Sequence, residues 1–202
     1  GGNIGNPPIE FLDKLNPTDW VILELSSFQL QDLEQSPHIS VVLDIKIDHL
    51  DYHQNKNEYI KAKSNILRYQ NHNDFAVINA DYFTSIELAI STKAQIFWFS
   101  RRKSVDQGCF IANDNIILRL NDKDYQITEI GKIQLRGVHN LENITAAITA
   151  SSVAGADILQ IKKVVEQFRG LKYRLEYLGE YQKIKFYNDS FSTTPDTTVA
   201  AI

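Results

Sequence analysis

The chain has 202 residues, 43% of them hydrophobic, and a formal net charge of −4, enough apolar content to bury the core of one large domain or one and a half. No basic block marks a nucleic-acid surface, and no apolar run approaches the roughly 20 residues that span a bilayer. The single cysteine, Cys109, excludes an internal disulfide and fits a reducing compartment, so the expected location is the cytoplasm.

Methionine is absent, and the sequence opens abruptly on Gly1-Gly-Asn-Ile-Gly5. The expectation is an internal fragment of a longer protein. The glycine-rich opening suits a turn that presents backbone N–H groups to an anion, although glycine pairs mostly mark turns. Residues 20–25 form a nearly continuous apolar run, which predicts a strand buried on both faces. Residues 39–45 predict another. Tyr59, Ala62, Ile66 and Leu67 form a helical stripe over residues 56–69, with Asn55 and Glu58 resembling a capping box at its start. Residues 75–78 and 95–99 predict strands, with a helix at 84–91 between them. This β-α-β rhythm predicts an α/β fold with a mostly parallel central sheet flanked by helices.

The rhythm then changes. Residues 109–112, 116–120 and 125–130 predict short strands separated by the turn sequences Asn113-Asp-Asn115 and Asn121-Asp-Lys-Asp124, a small antiparallel sheet added to the main one. Two helices follow, one from about Asn140 to Val153 and one capped by Asp157 and stopped by Gly170. Strands at 174–181 and 183–187 lead into a loop at Asn188-Asp-Ser190, and Gly170-Leu-Lys reads as a domain hinge.

Three polar groups lie among these apolar segments. Glu24 ends the first run. A carboxylate at the carboxyl end of a strand in an open α/β sheet faces the ligand crevice, where it suits Mg²⁺ and a nucleotide phosphate; a plain exposed strand end is the alternative. His49, between Asp48 and Asp51, is either a metal ligand or hydrogen-bond donor in a phosphate site or an exposed loop histidine. Lys63 lies on the apolar stripe of its helix. It either snorkels to water or has a depressed pKa that allows carbamylation, which turns a cation into a metal-binding anion. Further along, Asn140 and Asn143 share one face of a helix's first turn and either cap it or read a purine edge. Asp189 either hydrogen-bonds a ribose or serves its own turn.

The ordered segments Gly-Gly-Asn-Ile-Gly at 1–5, Leu-Glu-Leu-Ser-Ser-Phe-Gln-Leu at 23–30, Asp-His-Leu-Asp at 48–51, Tyr-Ile-Lys-Ala-Lys at 59–63, Gly-Val-His-Asn-Leu-Glu-Asn at 137–143, Tyr-Arg-Leu-Glu at 173–176 and Asn-Asp-Ser at 188–190 resemble the Mur ligase family. The first two favour the branch that adds D-glutamate over those that add a diamino acid or a dipeptide. The resemblance implies an ATP-dependent amide ligase of peptidoglycan precursor synthesis. The substrates would be ATP, D-glutamate and UDP-N-acetylmuramoyl-L-alanine, and the reaction would pass through an acyl phosphate. It implies that Glu24 and His49 bind Mg²⁺ and that carbamylated Lys63 bridges to a second Mg²⁺, with Lys63 and His49 serving catalysis. Asn140, Asn143, Arg174 and Asp189 would contact ATP; Asn3, Ser26, Gln29 and Thr193 would contact the UDP-muramoyl substrate.

Residues 1–170 correspond to the family's central domain without its phosphate-binding loop, and residues 171–202 to the first hairpin and loop of the C-terminal α/β domain. The fragment alone is therefore expected to bind nucleotide weakly and turn over nothing, and the parent to be a monomer with neither nucleic-acid nor membrane partners. Phe191 and Thr194 stand where the family usually has lysine and asparagine, and Asp44-Ile-Lys-Ile47 replaces a more usual Asn-Ile-Thr-Pro. A related ligase with another amino-acid substrate, and a nucleotide-binding relic without turnover, are the alternatives.

Overall fold

The computed structural model describes residues 1–2, 7–45, 55–192 and 199. A 3₁₀ helix at Pro8–Lys14 precedes α1 (Ser27–Gln31), β1 (Ile39–Val42), α2 (Lys56–Arg68), β2 (Phe75–Asn79), α3 (Phe83–Leu88) and β3 (Gln95–Ser100). Then follow β4 (Gly108–Ala112), β5 (Asn115–Leu120), β6 (Lys123–Glu129), α4 (Val138–Val153), α5 (Ile158–Gln167), β7 (Glu176–Tyr181) and β8 (Ile184–Asn188). Strands β1 to β6 lie side by side in chain order in one six-stranded sheet. The pairs from β1 to β4 are parallel, and β5 and β6 are added antiparallel. The expected small antiparallel sheet is thus a direct extension of the parallel one. β7 and β8 form a separate antiparallel pair.

Alternation along the strands sorts side chains onto two faces. Ala76, Ile78, Ile96 and Trp98 point to the face where Leu67 of α2 and Leu88 of α3 pack. Val77, Phe97 and Phe99 point to the other, against Ala146 and Ala150 of α4. Toward the antiparallel half, Ile116, Leu118 and Ile127 meet Ile144 and Ile148 of α4 and Ile161 of α5. The result is a helix–sheet–helix sandwich in which α4 crosses the sheet.

Side chains tie the helices to the sheet edge. Asn55 caps α2 by accepting from the Glu58 N–H at 3.1 Å. Asn65 is buried, and its amide donates to the Leu30 and Gln31 carbonyls, both at 3.0 Å, fastening the end of α1 to α2. Ser40 of β1 donates to the Ile66 carbonyl at 2.6 Å. The connection from β3 to β4 spans only residues 101–107, because β4 starts level with Trp98, only two residues back from the end of β3.

Residues 20–25 depart from expectation. They form no strand, and Trp20 and Ile22 are 57% and 82% exposed. The run is extended, and its backbone is matched by Gly1, whose N–H donates to the Ile22 carbonyl at 2.9 Å and whose carbonyl accepts from Glu24 N–H at 3.0 Å. Apolar composition records a preference for burial, but burial needs a covering partner, and among the described residues the run is covered only in part, as where Trp20 stacks on His38. β1 likewise stops at Val42 and not at residue 45, and α5 ends at Gln167, short of Gly170.

Candidate functional site

In a parallel sheet the carboxyl ends of the strands and the amino ends of the following helices face the same way, which concentrates polar groups there. Here that edge carries Asp44 after β1, Asn79, Asp81 and Tyr82 at and after β2, and Ser100 and Arg101 at the end of β3. Asp81 orders the turn after β3: it accepts from Ser100 Oγ at 2.5 Å and from Arg101 N–H at 2.8 Å. Tyr82 donates its hydroxyl to both carboxylate oxygens of Glu142, in the second turn of α4, at 3.0 Å each. Arg101 Nε–H donates to the same carboxylate at 3.1 Å. Burial, and then the Glu142 carboxylate, push the Tyr82 hydroxyl pKa upward, so it remains a donor.

These contacts bring the amino end of α4 to the carboxyl edge. The helix starts after Gly137, at φ 91°, where an added Cβ would lie 2.6 Å from the His139 ring. Asn140 Nδ2 donates back to the Arg136 carbonyl at 2.6 Å, and Asn143 Nδ2 donates to Asn140 Oδ1 at 3.3 Å. The two amides are therefore adjacent, as their spacing requires, and Asn140 is tied to its own turn.

The loops around β7 and β8 close on the same region. Asp189 accepts from the Ser192 hydroxyl and from the Leu175 N–H, and these two bonds, helped by the positive fields of His139 and Arg174, hold its carboxyl below the usual aspartate range. Arg136 lies over the Tyr187 ring at 5.8 Å. Of the residues expected as one nucleotide-contacting set, Arg174 and Asp189 meet in these loops, and Arg136 and His139, just before Asn140, lie beside them. An ionised carboxylate, paired amides and a guanidinium are suited to a ribose hydroxyl, a purine edge and phosphate oxygens respectively.

The expected metal set is only partly described. Glu24 presents an exposed carboxylate at the end of the extended run. Lys63 is half-buried on α2 and its Nζ lies 5.6 Å from the centre of the Tyr59 ring. His49, Asn3 and Thr193 lie outside the described residues. The described residues hold no cluster of three or more acidic, histidine or cysteine side chains suited to a metal. Glu24 supplies the hard oxygen that Mg²⁺ prefers, whereas Lys63 supplies one only when carbamylated.

Ser26 and Gln29 are engaged with each other. Gln29 N–H donates to Ser26 Oγ at 3.3 Å, and Ser26 N–H donates to Gln29 Oε1 at 3.0 Å, a capping box at the start of α1. The Ser-x-x-Gln spacing signals this locally. The bridge of Tyr82, Arg101 and Glu142 had no such signal, since Tyr82 and Glu142 are 60 residues apart.

Residues 6–151 match the family described as the Mur ligase middle domain. The chain is 39% identical over 203 residues to the UDP-N-acetylmuramoylalanine–D-glutamate ligase of Koribacter versatilis, a match covering all of this chain and 45% of that protein. It is 38% identical over 202 residues to the protein of the same name from Acetivibrio thermocellus, covering all of this chain and 43% of that one. Among solved structures, MurF from Acinetobacter baumannii shares the fold with a TM-score of 0.69 at 21% identity, over 89% of this chain and 40% of that one. The chain thus spans a little under half the length of the curated relatives it matches.

Proposed function

This chain belongs to the Mur ligase family, and from that premise we propose that its full-length parent is an ATP-dependent ligase of peptidoglycan precursor synthesis that joins D-glutamate to UDP-N-acetylmuramoyl-L-alanine. The observation that carries the proposal is the approach of the start of α4, through Arg136 and His139, to the loops of Asp189 and Arg174. We take residues 1–170 as the central ATPase domain and 171–202 as the start of the C-terminal domain.

A carboxylate is a poor acyl donor. The acceptor's carboxylate oxygen attacks the γ-phosphorus of ATP and ADP leaves, giving an acyl phosphate. The D-glutamate amine then attacks the acyl carbon, phosphate departs with the C–O bond pair, and the amine proton is lost to solvent or base. The chain's own residues bind and orient. Asn140 and Asn143 read the base, Asp189 accepts from a ribose hydroxyl, and Arg174 donates to phosphate oxygens. Asn3, Ser26, Gln29 and Thr193 contact the UDP-muramoyl group, Ser26 and Gln29 by giving up part of their mutual capping. Glu24, His49 and a carbamylated Lys63 would hold two Mg²⁺ ions, which neutralise the repulsion between substrate carboxylate and triphosphate. The partners are small molecules and the parent acts as a cytoplasmic monomer; no helix among the described residues is long and apolar enough to cross a membrane.

A second reading, another amino-acid substrate, is favoured by one observation: Phe191 and Thr194 occupy places where the family usually has lysine and asparagine. Phosphate release by the full-length parent separates the two. Release that requires both UDP-N-acetylmuramoyl-L-alanine and D-glutamate is the expected result, and equal release with other amino acids overturns the specificity.

A further inference from the structure

Arg174 sits between two residues in the left-handed backbone region, Tyr173 at φ 67° and Leu175 at φ 48°. L side chains avoid that region, so neighbours must hold both residues in place. Leu175 N–H donates to Asp189 Oδ1 at 2.9 Å, and Phe191 N–H donates to the Tyr173 carbonyl at 3.1 Å. The Phe191 ring also stacks on the Tyr173 ring, with centroids 5.9 Å apart and planes 26° apart. The Arg174 guanidinium lies 5.7 Å from the centre of the same Phe191 ring. The strained turn that carries Arg174 is thus pinned on one side by Asp189 and on the other by Phe191.

The geometry points to Phe191 as a positioning residue for nucleotide binding: its ring holds Arg174 for the nucleotide's phosphates. This rests on the reading of Arg174 as an ATP contact. A ring packed on a guanidinium acts through the π face and consumes no N–H donor, so the five donors stay available to phosphate oxygens. A lysine at this position would bring its own charge to the site and repel Arg174. The chain replaces that second cation with a platform for the first. Phe191 is 48% exposed, so its contribution is that of a partly solvated cation–π contact, equivalent to about a two- to fivefold change in an equilibrium constant.

The test uses the full-length parent with Phe191→Leu, Phe191→Tyr, Arg174→Ala and the Phe191→Leu/Arg174→Ala double variant. Leucine keeps apolar volume and the backbone N–H but removes the π face; tyrosine keeps the face. Phe191→Leu is expected to raise KM for ATP about two- to fivefold with kcat within about twofold. Phe191→Tyr restores the parent KM, and Phe191→Leu adds nothing once Arg174 is alanine. The Arg174 Nε–H resonance should move downfield in Phe191→Leu as ring-current shielding is lost, a readout independent of turnover. If Arg174→Ala raises KM while Phe191→Leu leaves both KM and that resonance unchanged, the inference fails alone. An equal effect of Phe191→Leu in both backgrounds also overturns it. An unchanged KM in Arg174→Ala removes the underlying reading, and this inference with it.

Discussion

Tyr82 donates its hydroxyl to both carboxylate oxygens of Glu142, each at 3.0 Å, across 60 residues of sequence. With Arg101 on the same carboxylate, this bridge fixes the amino-terminal part of α4 to the carboxyl ends of β2 and β3. The Glu142 side chain is only 13% exposed, so its bonds are partly shielded from water. Glu142→Ala should lower stability by about 1.5–3 kcal/mol, as for hydrogen bonds to a charged group, and Tyr82→Phe by about 1 kcal/mol. Urea unfolding measures both, and a Glu142→Ala midpoint equal to the parent's would show that the bridge carries no load. The Tyr82 pKa is raised in the fold, so this contribution is fully present below the unfolded tyrosine value of about 10 and fades as pH rises through the folded value.

Gly108 opens β4 at φ 122°, and a Cβ there would lie 1.8 Å from the Trp98 carbonyl oxygen. Backbone meets backbone, so no rotamer change relieves the clash. Gly108→Ala should destabilise the domain by on the order of 3 kcal/mol, read as a lowered thermal midpoint. A midpoint within a degree of the parent's would mean that the β3–β4 register is not the one described.

Asp189 closes the Arg174 turn most strongly as a carboxylate. Its folded pKa is depressed, so the stabilisation is present above the unfolded value of about 3.9 and is lost as pH falls through the lower folded value. Hydrogen exchange at the Leu175 amide, the donor to Asp189, tests this. Its protection factor should hold from neutral pH down to about pH 4 and fall below that, and Asp189→Ala should abolish it throughout. Protection that survives the substitution would assign the turn's closure to Phe191 alone.

Lys63 as a carbamate makes a chemical prediction. Lys63→Ala in the full-length parent should lower activity by at least about 10- to 100-fold, the cost of losing even an outer partner of a metal site, with partial rescue by acetate. Full activity without added carboxylate would exclude the carbamate, leaving Lys63 as the cation that lies over Tyr59.

Local pattern carried much of the fold. Short apolar runs placed β2 and β3, and Asn55 and Asp157 announced α2 and α5, because a buried strand's side chains and a helix's unpaired N–H groups leave their mark within a few residues. Residues 20–25 have the composition of a buried strand and are exposed, since composition cannot supply the surface that would cover them. The residues proposed to contact the nucleotide were visible as scattered short motifs. Phe191 showed only as a departure from a familiar loop.

The amino-acid sequence by itself determined the α/β class, the order of elements from β1 onward and the residue types available for phosphate chemistry, because those follow from short-range periodicity, capping and ordered motifs. Only the tertiary structure decided which of those residues meet. Glu142 with Tyr82 and Arg101, and Arg174 with Phe191 and Asp189, depend on chain segments brought together by sheet register and by the packing of α4. Such pairings are set by burial of the apolar faces beneath them, and no local spacing encodes that.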